Sequence, residues 1–218
     1  MSDFVAPLFD ARQTRRRPNQ HPPERTNEPS ETKMHKTTPE SRTRPFVLIT
    51  GVPGTGKTTL ADRLAARLGG DGVCARVDVG AIAKNEGFHG EYVEEMDTHE
   101  LDEDGVLDHL EEVLAEREEN GLGVACDYHS CELFPKRWFD LVVVLTCVED
   151  TKTLYERLES RGYAEKKIRE NVECDIFQVV VEEAKEAYDE VWTRNNASLD
   201  DLERNVEEIA EWFEARCK

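Results

Sequence analysis

No apolar run in this chain approaches the ~18–20 residues that a membrane-spanning helix requires, and none of its six cysteines forms a Cys-x-x-Cys pair. The first absence excludes a helical membrane span. The second removes the usual zinc-ribbon and dithiol-redox spacings. Cys74, Cys126, Cys131, Cys147, Cys174 and Cys217 are scattered, several inside apolar runs where a free thiol behaves as a small hydrophobe. The N-terminal residues contain no continuous apolar stretch of the secretory-leader type. Together these features predict an intracellular, reduced protein.

Basic residues are also scarce. Lys and Arg number 28 against 47 Asp and Glu, a net charge of −19 over 218 residues. A body so acidic repels phosphate backbones, which argues against sequence-specific or generic nucleic-acid binding. The imbalance is uneven: residues 1–44 carry nine Lys+Arg against six Asp+Glu, leaving 19 against 41 for the rest. Three readings fit: a salt-rich habitat, a basic partner such as a ribosomal protein, or solvated helix faces.

What is present is concentrated in one motif. Gly51-Val52-Pro53-Gly54-Thr55-Gly56-Lys57-Thr58-Thr59 is a complete G-x-x-x-x-G-K-[ST] phosphate loop. The apolar run Phe46–Thr50 before it suits a buried parallel strand. Leu60, Leu64, Ala65 and Leu68 follow at helical spacing until Gly69-Gly70. In that context glycines let the backbone wrap a phosphate, Lys57 reaches the β- and γ-phosphates, and the Thr58 hydroxyl joins a Mg²⁺ shell. A nucleoside triphosphate is the expected ligand.

Residues 1–44 read as a basic, proline-rich tail with too little apolar content to order itself. Its Arg15-Arg16-Arg17 cluster fits a localisation signal, an RNA-contacting arm or plain solvated chain. From residue 45 strands and helices alternate, with strands expected at 73–79, 122–126 and 141–145. Helices are expected at 102–119, 154–159, 164–188 and 199–213, the last capped by Ser198 or Asp200. The short run 190–196 is the only candidate for a fifth strand, and an edge strand or an irregular connection fits it equally well. Alternation of this kind predicts a three-layer parallel α/β sheet of the phosphate-loop NTPase class.

Asp127 ends the strand Gly123–Cys126, the position from which such enzymes hold Mg²⁺ directly or through water. His129, two residues on, is expected on the same side, where it can orient a water or a substrate hydroxyl. Cys126, His129 and Cys131 match no standard zinc spacing. Arg161-Gly162 after a helix fits a flap closing guanidinium charge over a transferring phosphoryl group. An ordinary helix C-terminus would carry the same residues. Residues 78–101, with Gly80 and Lys84, read as an inserted helical segment where small-molecule kinases bind their acceptor.

Taken together, Gly51–Thr59, the Asp127-Tyr128-His129-Ser130-Cys131 run through Phe139, Leu154–Tyr163 and Glu173–Val180 closely resemble the ribosome-assembly adenylate kinases, also called coilin-interacting nuclear ATPases. The resemblance spans residue 45 to the C-terminus, and the Tyr-His-Ser-Cys form is similar to the eukaryotic branch, which speaks against a salt-rich habitat. It implies a nucleoside-monophosphate-kinase core with an acceptor-binding insert at 78–101 and a short lid at 160–170. On the matching positions it implies ATP contacts at Gly51, Gly54, Thr55, Gly56, Lys57, Thr58, Thr59 and Arg161. Asp127 and His129 match the second nucleotide motif, Thr58 and Asp127 would hold Mg²⁺, and Gly80 and Lys84 would face AMP. The implied chemistry is ATP + AMP ⇌ 2 ADP, with ATPase activity. The implied setting is nucleus and cytoplasm, in late small-subunit maturation, with a basic ribosomal protein and a pre-ribosomal particle as partners. Two departures stand out. Gly80-Ala81-Ile82-Ala83-Lys84 replaces the family's Gly-Asp-Leu-Ala-Arg, exchanging a bidentate fork for a point charge and predicting a weaker grip on AMP phosphate. After Tyr188 the chain is about one residue shorter, near the adenine-contacting loop.

Overall fold

The computed structural model describes residues 42–93 and 98–218. Its main sheet has five parallel strands: β1 (Phe46–Thr50), β2 (Cys74–Asp78), β5 (Gly123–Asp127), β6 (Leu141–Thr146) and β7 (Val191–Asn195), in the order β2-β5-β1-β6-β7. The chain thus departs from β1 at the centre, so the loops after β1, β5 and β6 meet at one edge of the sheet. That edge is where open α/β sheets place their ligands. The expected fifth strand forms, pairing β7 with β6 along Val142–Thr146.

Alternation along each strand sorts the core into two layers. Val47, Ile49, Leu141, Val143 and Leu145 face helices α1 (Lys57–Arg67) and α7 (Leu199–Glu214). Phe46, Leu48, Val142 and Val144 face the opposite layer, which includes α3 (Glu103–Glu119) and α6 (Val179–Ala187). The strands are buried throughout except on the edges, as a sheet covered on both sides requires. Ser198 caps α7 in a reciprocal box with Asp201.

Three expectations are corrected. The single helix expected over 164–188 is two: α5 (Glu165–Ile176) and α6, separated at Gln178, whose φ of 53° is left-handed. No Gly or Pro marks that break. The turn lets α5 pack on α4 (Thr151–Ser160) while α6 lays Val180, Val181 and Ala184 on β6. The segment 78–101 is not wholly helical: a short helix α2 (Val79–Asn85) precedes an antiparallel hairpin, β3 (His89–Val93) with β4 (Thr98–Leu101). Finally, residue 42, expected within the tail, packs against the body of the fold. Arg42 is 3% exposed, donates to Asp140 and to the Arg137 carbonyl, and stacks on Phe46. The Arg15–Arg17 cluster lies outside the described residues.

Candidate nucleotide site

The loop Gly51–Gly56 turns the chain from β1 into α1, and its geometry closes key positions to any side chain. Gly51 has φ 135°, and a Cβ there would stand 2.4 Å from the Leu145 carbonyl oxygen. Gly56 has φ 95°, with a Cβ placed 2.5 Å from Asn196 Nδ2. Both positions need glycine for space as well as for conformation. Within the loop, the Thr55 hydroxyl donates to the Val52 carbonyl at 2.9 Å. The Lys57 ammonium curls back over the loop, donating to the carbonyls of Gly51 at 2.9 Å and Val52 at 3.0 Å. Burial pulls its pKa down to about 8, with Asp127 opposing and Arg161 assisting.

Two clefts flank this loop. The larger, about 360 Å³, is bounded by Gly54, Gly56 and Thr59, by Arg157 and Arg161 of the α4 end, and by Asn196, Ser198, Leu199 and Leu202 before and within α7. The smaller, about 140 Å³, lies across the loop and is lined by Lys57, Asp78, Gly80, Ala83, Asp127 and His129, among others. Lys57 lines the smaller cleft, while its loop neighbours Gly54, Gly56 and Thr59 line the larger.

Asp127 is buried at the end of β5, 4% exposed. Burial and the neighbouring Asp78 raise its pKa, while the Thr58 hydroxyl and the Arg76 guanidinium lower it. Arg76, on β2, donates to Asp78 at 2.6 Å and to Asp127 at 3.3 Å, and its Nε lies 3.1 Å from Asp62. His129 projects beside Asp127 into the smaller cleft, its ring 4.2 Å from that of Tyr128. Burial pulls its pKa down to about 4, with Lys57 and Lys167 adding to the effect. The imidazole is thus neutral at pH 7 and keeps one acceptor nitrogen.

Thr58 and Asp127 supply hard oxygen donors, close enough for the hydroxyl to lower the carboxyl pKa, so the pair fits a Mg²⁺ ion. Among the described residues no group of three or more His, Cys, Asp or Glu converges on a metal position. A protein-only cage is absent from that set, and the fit is to an ion whose shell is completed by phosphate and water.

The structure brings Gly54, Gly56, Thr59 and Arg161 to the larger cleft, and Lys57, Gly80, Asp127 and His129 to the smaller. Gly51, Thr55 and Thr58 belong to the loop and the first turn of α1. Lys84 is exposed on α2, and Ala83 lines the cleft instead. Sequence reading overlooked Arg76, Arg157, Asn196 and Asn205. Arg157 lies within the Leu154–Tyr163 motif but was given no role there, and the other three belong to no motif; each gains meaning only when separate elements meet.

A family model described as an AAA domain matches residues 47–178. The chain is 46% identical over 176 residues to an adenylate kinase isoenzyme 6 homolog of Caenorhabditis elegans, covering 80% of this chain and 92% of that one. The homolog of Schizosaccharomyces pombe is 40% identical over 175 residues, with 79% and 94% covered. The homolog of Drosophila melanogaster is 38% identical over 177 residues, with 80% and 95% covered.

Proposed function

The chain belongs to the adenylate kinase isoenzyme 6 family, a family of nucleotide kinases, and from that premise we propose that it transfers the ATP γ-phosphate to AMP, yielding two ADP. The observation that carries this reading is the pair of clefts at the phosphate loop, the larger lined by Gly54, Gly56 and Thr59 and the smaller by Lys57. ATP enters the larger cleft, its base toward Leu199 and Leu202 and its phosphates in the loop. The Lys57 ammonium leaves the Gly51 and Val52 carbonyls for phosphate oxygens, a better partner for a desolvated cation. Mg²⁺ held by Thr58 and Asp127 supplies neutralisation of β- and γ-phosphate charge when bound.

AMP occupies the smaller cleft, and an oxygen of its already ionised phosphate attacks the γ-phosphorus. The bond from that phosphorus to the β–γ bridging oxygen breaks, and ADP leaves carrying the electron pair. No proton need move. Arg161, at the lid end of α4, supplies charge to the transferring group as the lid closes. With no acceptor bound, a water oriented by neutral His129 takes its place, and the same site then hydrolyses ATP.

A second reading has one feature in its favour, the net −22 of the chain beyond residue 44. An ATP-switched assembly factor binding a basic small-subunit ribosomal protein on a pre-ribosomal particle, in nucleus and cytoplasm, suits that charge. The replacement of the family's acceptor-site Arg by Lys84 also admits another small-molecule acceptor. A coupled assay with ATP, Mg²⁺ and a panel of monophosphates separates these. ADP formation dependent on AMP is expected. Phosphate release raised by a basic partner and indifferent to AMP would favour the assembly factor, and transfer only to another acceptor would favour a different kinase.

A further inference from the structure

Two buried asparagines join the phosphate loop to the opposite wall of the larger cleft. Asn196, 3% exposed, follows β7 and is anchored by its own N–H to the Thr146 carbonyl of β6 at 2.8 Å. Its side-chain Nδ2 donates to the Thr55 carbonyl at 2.7 Å. Its Oδ1 accepts from Asn205 Nδ2 at 3.2 Å, and Asn205, 1% exposed on α7, also donates to the Asn195 carbonyl at 2.8 Å. Arg157 runs parallel, reaching the Gly54 carbonyl at 3.3 Å, the Asn196 carbonyl at 3.0 Å and the Ala197 carbonyl at 2.7 Å.

The direction of these bonds matters. Tying the Gly54 and Thr55 carbonyls outward leaves that face of the loop to its N–H groups, which is what an anion needs. Asn196, Ser198, Leu199 and Leu202 form the wall on which the base would lie. A wall and a loop built from segments about 140 residues apart (Asn196 to Thr55 spans 141) are thereby one rigid body. We propose that Asn196, held by Asn205, is a positioning residue that couples recognition of the nucleobase to the grip on the triphosphate. This rests on reading the larger cleft as the ATP site. Binding of the base then fixes the distance and tilt of the phosphates over the loop, so the adenosine part of ATP strengthens phosphate binding instead of adding an independent contact.

The test compares Kd for MgATP with Kd for magnesium tripolyphosphate, which has the same phosphates and no base, by titration calorimetry. Asn196→Asp is nearly isosteric, still accepts from Asn205, and puts an oxygen against the Thr55 carbonyl. Asn205→Ala removes the support from behind without adding charge. In the unaltered protein ATP is expected to bind at least tenfold tighter than tripolyphosphate. In both variants that advantage should shrink about five- to tenfold, the scale of one well-placed hydrogen bond, because ATP weakens more than tripolyphosphate does. Any added repulsion in Asn196→Asp acts on both ligands and cancels in the ratio. An unchanged ratio, with or without a lower Tm, overturns the coupling and leaves the asparagines as fold stabilisers. A ratio near one in the unaltered protein overturns the ATP-site reading itself.

Discussion

Arg76 donates to Asp127 across the β2–β5 pairing at 3.3 Å, placing a fixed cation beside the carboxylate that faces the phosphate loop. Burial and Asp78 both push Asp127 toward protonation, and Arg76 and Thr58 hold it ionised. Arg76→Ala should therefore raise its pKa further and shift the acid limb of the pH–rate profile upward by about one unit. Excess Mg²⁺ should restore part of the lost rate. An acid limb that stays in place would show that Arg76 only pins β2 to α1 through Asp62.

Lys57 sets the alkaline side. Its pKa of about 8 belongs to the nucleotide-free protein, where burial is the largest cause. A bound polyphosphate favours the charged form and raises that value. The expected outcome is a kcat/KM for ATP that falls above about pH 8 while kcat stays level to higher pH. Lys57→Ala should lose ~10²–10³ in rate with its circular dichroism unchanged. Parallel alkaline losses in both parameters would place the titrating group elsewhere.

Asp175 governs stability more than chemistry. It is 3% exposed, accepts from the Cys147 N–H at 2.9 Å, and burial pushes its pKa up to about 6. Folding therefore takes up a proton between the ordinary 3.8 and about 6, and the ionised carboxylate costs stability above that window. Asp175→Asn keeps the acceptor and removes the charge. Tm at pH 7 should rise by about 3–6 °C, with the gain gone near pH 4. A lower Tm at pH 7 would mean the buried charge is compensated.

His129 and Asp127 should separate hydrolysis from transfer. Asp127→Asn weakens the Mg²⁺ site and should depress both rates. His129→Ala should depress ATP hydrolysis by ~10²-fold and AMP-dependent ADP formation much less, because only water needs orienting. Equal losses in His129→Ala would make His129 a residue that shapes the shared pocket.

The sequence was most legible where one segment sets its own local geometry. The strand–loop–helix from Phe46 to Arg67 and the Asp127–His129 pair at the end of β5 declare themselves, because glycine, lysine and carboxylate positions are fixed by local backbone needs. The edge strand β7 was only half visible, since the short run 190–196 fitted an irregular connection equally well. The break at Gln178 was not, since tertiary packing imposes a left-handed φ that no Gly or Pro announces. The hairpin after α2 hid inside an acidic stretch with no apolar alternation. Arg76, Asn196 and Asn205 were silent for a different reason: their partners lie on other elements, and spacing along the chain says nothing about which carbonyl a buried amide will meet.

The most direct test of the account follows the label from ATP carrying ³²P at the γ position, incubated with Mg²⁺ and AMP. Label is expected to appear in ADP at the rate ATP disappears, and Lys57→Ala is expected to abolish this. Label recovered only as inorganic phosphate, at a rate indifferent to AMP, would contradict it.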